Sequence, residues 1–175
     1  MVTTDDAGIA RAVAILRQHG AAERYHHDVL GYNFRMTDIA AAIGRAQLAK
    51  LDGFNERRRR NASVLDEGLA GVPGVTTPRE RSGHRHVYHQ YTVRIARDRD
   101  RFQEGLRELG VGSAVHYELP VHRQPLYVAL GYGDVSMPES ERAAAQVLSL
   151  PVHPALTDTD LDRIVESVRK VAARA

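Results

Sequence analysis

From about Phe54 to Ala175 the apolar residues switch repeatedly between helical and strand spacing, and this constrains the fold more than any other feature of the chain. A helix is predicted from near Phe54 to about Leu69, with Ala62, Leu65 and Leu69 on one face and Gly71, Pro73 and Gly74 closing it. His86 to Ile95 alternates. Val87, Tyr91, Val93 and Ile95 fall on one side and Gln90, Thr92 and Arg94 on the other, the mark of a half-buried strand. Asp98 to Leu109 reads as a helix with Phe102, Leu106 and Leu109 inward, stopped at Gly110. Val111 to His116 reads as a second strand and Glu118 to Met137 as a loop. A helix follows from Pro138 through Ala145, then a short strand from Val147 to Leu150 that ends at Pro151. Thr157 with Asp160 has the form of a capping box, and Leu161, Ile164, Val165, Val168 and Val171 mark a last amphipathic helix. Helix, strand, helix, strand, helix, strand, helix is the pattern of a compact α/β unit over residues 53–175.

Residues 1–52 read differently. Val2 to Thr4 resembles the end of a strand, and Asp5 or Asp6 is placed to cap a helix carrying Ile9, Val13 and Leu16. Gly20 sits where a helix end wants a left-handed residue. Ala21 to Met36 is a loop centred on Gly31-Tyr32-Asn33, and Thr37 opens the next helix with Asp38 at its positive end. The run from Ile39 to Gly44 is apolar on almost every face, so burial on several sides is expected, part of it from a second subunit. These pieces make no core of their own, and the first third reads as the tail of another domain.

Composition removes several classes of function. The 175 residues contain no Cys, which excludes a disulfide scaffold, a thiolate metal site, an iron–sulfur cluster and a cysteine nucleophile. No apolar run approaches the roughly 20 residues of a membrane span. The first residues lack the basic and apolar regions of a signal peptide, so the cytoplasm is the expected compartment. With 24 Lys plus Arg against 22 Asp plus Glu, the net charge is +2, too small an excess for a nucleic-acid binder. Among the cations only Lys50 and Lys170 are lysines, the residue type that forms Schiff bases. Lys50 ends a helix and Lys170 follows Arg169 on a polar helix face, so both have structural explanations and neither is expected to be catalytic.

The remaining polar clusters each admit a plain reading. Asn33 suits a turn after Gly31, and Arg35 a solvated loop. His84, His86 and His89 fall on two faces of a strand and make a poor metal site; His86, Tyr88 and Tyr91 read as packing residues, and no metal is expected. Arg57 to Arg60 spread around a helix and read as a solvated face with Glu56 as partner. His116, Tyr117, His122 and Gln124 lie at a strand end and in the loop after it, where binding groups concentrate, though Pro120 and Pro125 could equally hold ordinary surface polars there.

Four strings carry a resemblance that covers nearly the whole chain. They are Gly31-Tyr32-Asn33-Phe34-Arg35-Met36-Thr37-Asp38-Ile39, His86-Val87-Tyr88-His89-Gln90-Tyr91, His116-Tyr117-Glu118-Leu119-Pro120-Val121-His122-Arg123-Gln124 and Leu148-Ser149-Leu150-Pro151-Val152-His153-Pro154. In content, order and spacing they resemble the pyridoxal-phosphate-dependent sugar aminotransferases named after DegT, DnrJ, EryC1 and StrS. The resemblance implies the C-terminal portion of a fold type I transferase. Residues 1–52 would be the tail of the large cofactor domain with an interface helix, and residues 53–175 the small α/β C-terminal domain, a mixed sheet with helices. It implies pyridoxal 5'-phosphate as cofactor, with the Schiff-base lysine expected upstream of Met1 and no catalytic residue in this chain. Asn33 and Arg35 would bind the cofactor phosphate, Asn33 across a homodimer. His116 and Tyr117 would approach substrate, and His122 is a candidate contact to a nucleotide sugar. The implied reaction moves an amino group from glutamate or glutamine to a keto-sugar or cyclitol, in polysaccharide or antibiotic sugar biosynthesis. The alternative is a non-catalytic binding or assembly module that pairs through Thr37 to Leu51 with a separate catalytic subunit.

Overall fold

The computed structural model describes residues 2–174. They fall into two compact units that divide between Lys50 and Leu51.

In the first unit, Asp6 caps helix α1 (Ala7–Leu16) by accepting from the Ile9 N–H at 2.9 Å. The expected strand end at Val2 to Thr4 is absent, because these residues are exposed coil with no ladder to join. The expected loop from Ala21 to Met36 contains a small hairpin, β1 (Ala21–Glu23) with β2 (His26–His27). Thr37 caps helix α2 (Asp38–Leu48) through a 3.3 Å bond from the Ala40 N–H. Among the described residues of this unit only Gly20 is buried. The apolar run on α2 therefore lies open in this chain, with Ile39 76% and Ile43 60% exposed.

The second unit holds the core. Helix α3 (Leu51–Leu69) turns Ala62, Leu65 and Leu69 inward, and α7 (Asp158–Ala172) turns Leu161, Ile164, Val165, Val168 and Val171 toward them. The two helices approach closely at Gly68, where an added Cβ would lie 2.5 Å from Val165 Cγ2. Thr157 and Asp160 close the expected capping box on α7. Between the helices and the outer face lies a three-stranded sheet, β3 (Val75–Thr76), β4 (Tyr91–Ile95) and β5 (Val147–Leu150), with β4 in the centre. Tyr91, Val93 and Ile95 are buried alternately along β4. Helix α4 (Arg99–Glu108), capped by Asp98, adds Phe102 and Leu106 to the same core.

The α/β class is as expected, but the strand pairings in this sheet are antiparallel, not mixed. Two strands are also shorter than their alternation predicts. The strand read from His86 begins only at Tyr91, because the carbonyls before it accept from side chains on α3. Arg59 Nη1 donates to His86 O at 2.6 Å, and Arg58 Nη1 donates to Tyr88 O and His89 O at 3.3 Å. Val87 consequently turns outward, 44% exposed, and Tyr88 takes a left-handed φ of 46°. The strand read from Val111 to His116 reduces to one bridge, Ala114 to Ser149, since Ser113 O accepts from Gln103 Nε2 instead. The arginine run is a solvated face only in part: Arg57 and Arg60 are exposed, while Arg58 and Arg59 are half-buried, and Glu56 is not their partner. Arg59 also pairs with Glu80, and Arg60 with Asp158 at 2.5 Å, while Glu56 pairs with Arg85.

Candidate functional site

Asn33 is placed by a glycine-on-glycine approach. His19 and Gly20 take φ of 59° and 74°, which turns the chain out of α1. A Cβ on Gly20 would lie 1.7 Å from Val29 O, and one on Gly31 would lie 1.8 Å from Gly20 N, so both positions exclude any side chain. Residues 32–34 then run beside the end of α1, fixed by Tyr32 N to Leu16 O at 2.7 Å, His19 N to Tyr32 O at 2.9 Å and Phe34 N to Arg17 O at 3.1 Å. On this ladder Arg35 Nε donates to Asn33 Oδ1 at 2.9 Å. Arg35 Nη2 lies 3.3 Å from His19 Nε2. A guanidinium only donates, so the Asn33 oxygen is occupied, and the amide N–H groups are left pointing elsewhere with no partner among the described residues. The cluster offers an exposed set of donors, an amide and a guanidinium, suited to an anion.

His116, Tyr117 and His122 come together in the second unit, on the wall of a cavity of about 690 Å³ that Tyr127, Tyr132 and Met137 also line. His116 Nδ1 stands 3.4 Å from Ser149 Oγ, which in turn is 2.9 Å from Thr92 Oγ1, so paired positions on β5 and β4 support the ring from below. Tyr117 is 77% exposed and meets His116 edge-on at 6.0 Å between ring centres. The expected loop from Glu118 to Met137 folds into short helical turns, Val121–Arg123, α5 (Pro125–Tyr127) and Val128–Tyr132.

Glu141 holds that segment. It lies in the first turn of α6 (Pro138–Gln146), and its Oε1 accepts from Met137 N at 3.1 Å and Arg123 Nη2 at 3.1 Å and lies 2.9 Å from His122 Nε2. Arg123 Nη1 donates onward to Gly133 O at 2.7 Å. The hydrogen bond with His122, then those from Met137 and Arg123, hold the Glu141 carboxyl down to about 2. His122 is thus committed on one ring nitrogen, with its side chain 10% exposed.

The expected site residues form two groups: Asn33 with Arg35 in the first unit, and His116, Tyr117 and His122 in the second. Sequence reasoning missed His19, Ser149 and Glu141. Each reaches its partner through tertiary structure, and none stands in a spacing that marks it. Among the described residues no group of three or more His, Asp or Glu could hold a metal ion, and no helix is long and apolar enough to cross a membrane. Lys50 and Lys170 are both exposed, without the burial that covalent attachment of a cofactor requires.

The second unit is thus a small antiparallel α/β unit with a His- and Tyr-walled cavity, and the fold is that of the aminotransferases it matches. Over 99% of its length the chain superposes on the crystal structure of DesV from S. venezuelae, with a TM-score of 0.93 at 36% identity. The chain belongs to the DegT/DnrJ/EryC1/StrS aminotransferase family, which it matches over residues 1–169. It is 40% identical over 170 residues to a pleiotropic regulatory protein of Geobacillus stearothermophilus, covering 96% of this chain and 45% of that protein. It is 37% identical over 173 residues to the dTDP-3-amino-3,4,6-trideoxy-alpha-D-glucose transaminase of Streptomyces venezuelae, covering 99% of this chain and 45% of that enzyme. The chain therefore spans about 45% of the length of these relatives and matches their C-terminal portion. The family is one of pyridoxal-phosphate-dependent sugar aminotransferases.

Proposed function

We propose that this chain is the C-terminal part of an aminotransferase that moves an amino group from glutamate or glutamine to the ketone of a nucleotide-linked keto-sugar or a cyclitol. The family match over residues 1–169, joined to a cavity walled by His116, Tyr117 and His122, carries this reading.

The donor set fits one end of the cofactor and not the other. Asn33 and Arg35 present N–H groups suited to a phosphate, and Asn33 does so without adding charge. We assign them to the phosphate of a partner subunit's cofactor in a homodimer, with α2 at the interface and residues 1–52 as the edge of the cofactor domain. The exposed lysines do not fit covalent attachment, so the lysine that holds the cofactor is assigned to a segment outside these residues. Pyridoxal phosphate, when bound, supplies the electron sink for amino transfer. This chain's residues supply orientation. His116, braced by Ser149, and Tyr117 beside it offer an imidazole and a phenol to sugar hydroxyls, and Tyr127, Tyr132 and Met137 add apolar surface to the same wall.

The test joins the chain to a lysine-bearing cofactor domain, in one polypeptide or as two subunits, and supplies glutamate with a nucleotide keto-sugar. Mass spectrometry should find the amino-sugar and 2-oxoglutarate in equal amounts, and His116→Ala should lower turnover while the cofactor stays bound. An assembly that forms and holds cofactor yet transfers no amino group to any such ketone would favour the non-catalytic module.

A further inference from the structure

One carboxylate oxygen decides how the cavity presents His122. Glu141 Oε1 faces Met137 N and Arg123 Nη2, both of which are obligate donors, at 3.1 Å each. An oxygen that accepts from both is not the protonated one, so toward His122 Nε2, at 2.9 Å, it is again an acceptor. The ring nitrogen facing it must carry the hydrogen. In the neutral ring Nδ1 is then the lone-pair nitrogen, and it has no partner among the described residues. His122 is nearly enclosed, so this choice is not averaged out by solvent. The same Glu141 anchors Arg123 and, through it, Gly133, so the ring and the chain that frames it are set together.

We infer that Glu141 is a positioning residue that holds His122 as the Nε2–H tautomer, so that this cavity wall offers a hydrogen-bond acceptor to a bound ligand. The group an acceptor takes is a hydroxyl, not a phosphate oxygen, and placing that hydroxyl on a sugar rests on the aminotransferase reading above. Glu141→Leu removes the one oxygen that faces Met137, Arg123 and His122 together, so no carboxylate then selects which ring nitrogen carries the hydrogen.

The experiment is long-range proton–nitrogen NMR of the full chain labelled at histidine nitrogen, at neutral pH, with the His122 signal identified by its loss in His122→Gln. The Nε2–H pattern is expected in the wild type and a mixture of the two tautomer patterns in Glu141→Leu. A wild-type Nδ1–H or doubly protonated pattern, or a pure Nε2–H pattern in a folded Glu141→Leu, would overturn the assignment. Should Glu141→Leu not fold, the wild-type pattern alone decides. Titration with UDP-N-acetylglucosamine against UDP then locates the hydroxyl. A His122 Nδ1 shift with the sugar nucleotide and not with UDP is expected, and an equal shift with UDP would overturn placing that hydroxyl on the sugar beyond the diphosphate. If neither probe binds while the wild type shows Nε2–H, the sugar-nucleotide reading fails and the role of Glu141 stands.

Discussion

Single side chains decide the chemistry that each unit offers. Glu141 draws three donors to one oxygen, and its carboxyl is held down to about 2 from an ordinary 4.5, first by His122, then by Met137 N–H and Arg123. A folded-state value below the unfolded one means that ionised Glu141 contributes stability in full above about 4.5, and that this contribution is lost as pH falls through about 2. The stability difference between the wild type and Glu141→Gln, followed by urea denaturation with circular dichroism, should therefore shrink across that window. A difference that stays constant down to the lower limit would detach the carboxylate from the loop. Asn33 makes a comparable prediction for binding. Its oxygen is taken by Arg35, and its N–H groups have no partner among the described residues. A hydrogen bond to a charged group contributes roughly 1.5–3 kcal/mol, which is about a 10- to 150-fold change in affinity. In the enzyme completed with its cofactor domain, Asn33→Ala should release cofactor faster by that order while the chain stays folded, read from absorbance after dilution. Unchanged retention in an intact assembly would leave Asn33 as a turn residue that orients Arg35.

At the scale of elements, α3 and α7 form the most constrained pair. Gly68 lets them close, and the β-branched Val165 opposite is stiff, so a methyl 2.5 Å from its Cγ2 cannot be absorbed by a rotamer change alone. Gly68→Ala should cost about 1–3 kcal/mol in urea unfolding, as overpacked cores do, despite the higher helix propensity of alanine. A stabilised variant would show that the helices part freely. The same pair explains how much is legible in sequence. Ala62, Leu65 and Leu69 mark the buried face of α3, and Thr157 with Asp160 marks the start of α7, because spacing and caps are local. The segments at 86–90 and 111–116 mislead, because alternation reports which side chains are apolar and not which group meets each carbonyl. There the partners are Arg58, Arg59 and Gln103, set on helices elsewhere in the sequence. In the candidate site His116 and Tyr117 stand at a strand end where binding groups are expected. Glu141 looks like any acid in a first helical turn until the fold brings His122 and Arg123 to it. Helix α2 is the opposite case, an apolar element left exposed among the described residues. With Ile39 76% and Ile43 60% exposed, the chain should self-associate. Replacing both by Glu should give a monomer in analytical ultracentrifugation. A wild type that is already monomeric at high concentration would end the assignment of this face to an interface.

Across the whole molecule, the Asn33–Arg35 donors and the cavity walled by His116, Tyr117 and His122 belong to different units, and among the described residues neither unit holds a lysine suited to the cofactor. Lys50 follows the last turn of α2 and is exposed. Lys170 lies in the last turn of α7 beside Arg169 and is exposed as well. A lysine that attaches a cofactor stably must be found unprotonated part of the time and must be enclosed so that water does not reverse the attachment. Burial in an apolar pocket supplies both, and an exposed helix end supplies neither. The cavity walled by His116, Tyr117 and His122 contains no lysine on its wall, so it has no amine to offer. The purified chain, incubated with pyridoxal phosphate and reduced with borohydride, should therefore show no stoichiometric modification of either lysine by mass spectrometry and no matching visible band before reduction. Joined to a lysine-bearing cofactor domain, the same treatment should give one modification per chain, on that domain. A stoichiometric adduct on Lys50 or Lys170 of the chain alone would overturn the division of labour between these residues and the cofactor domain.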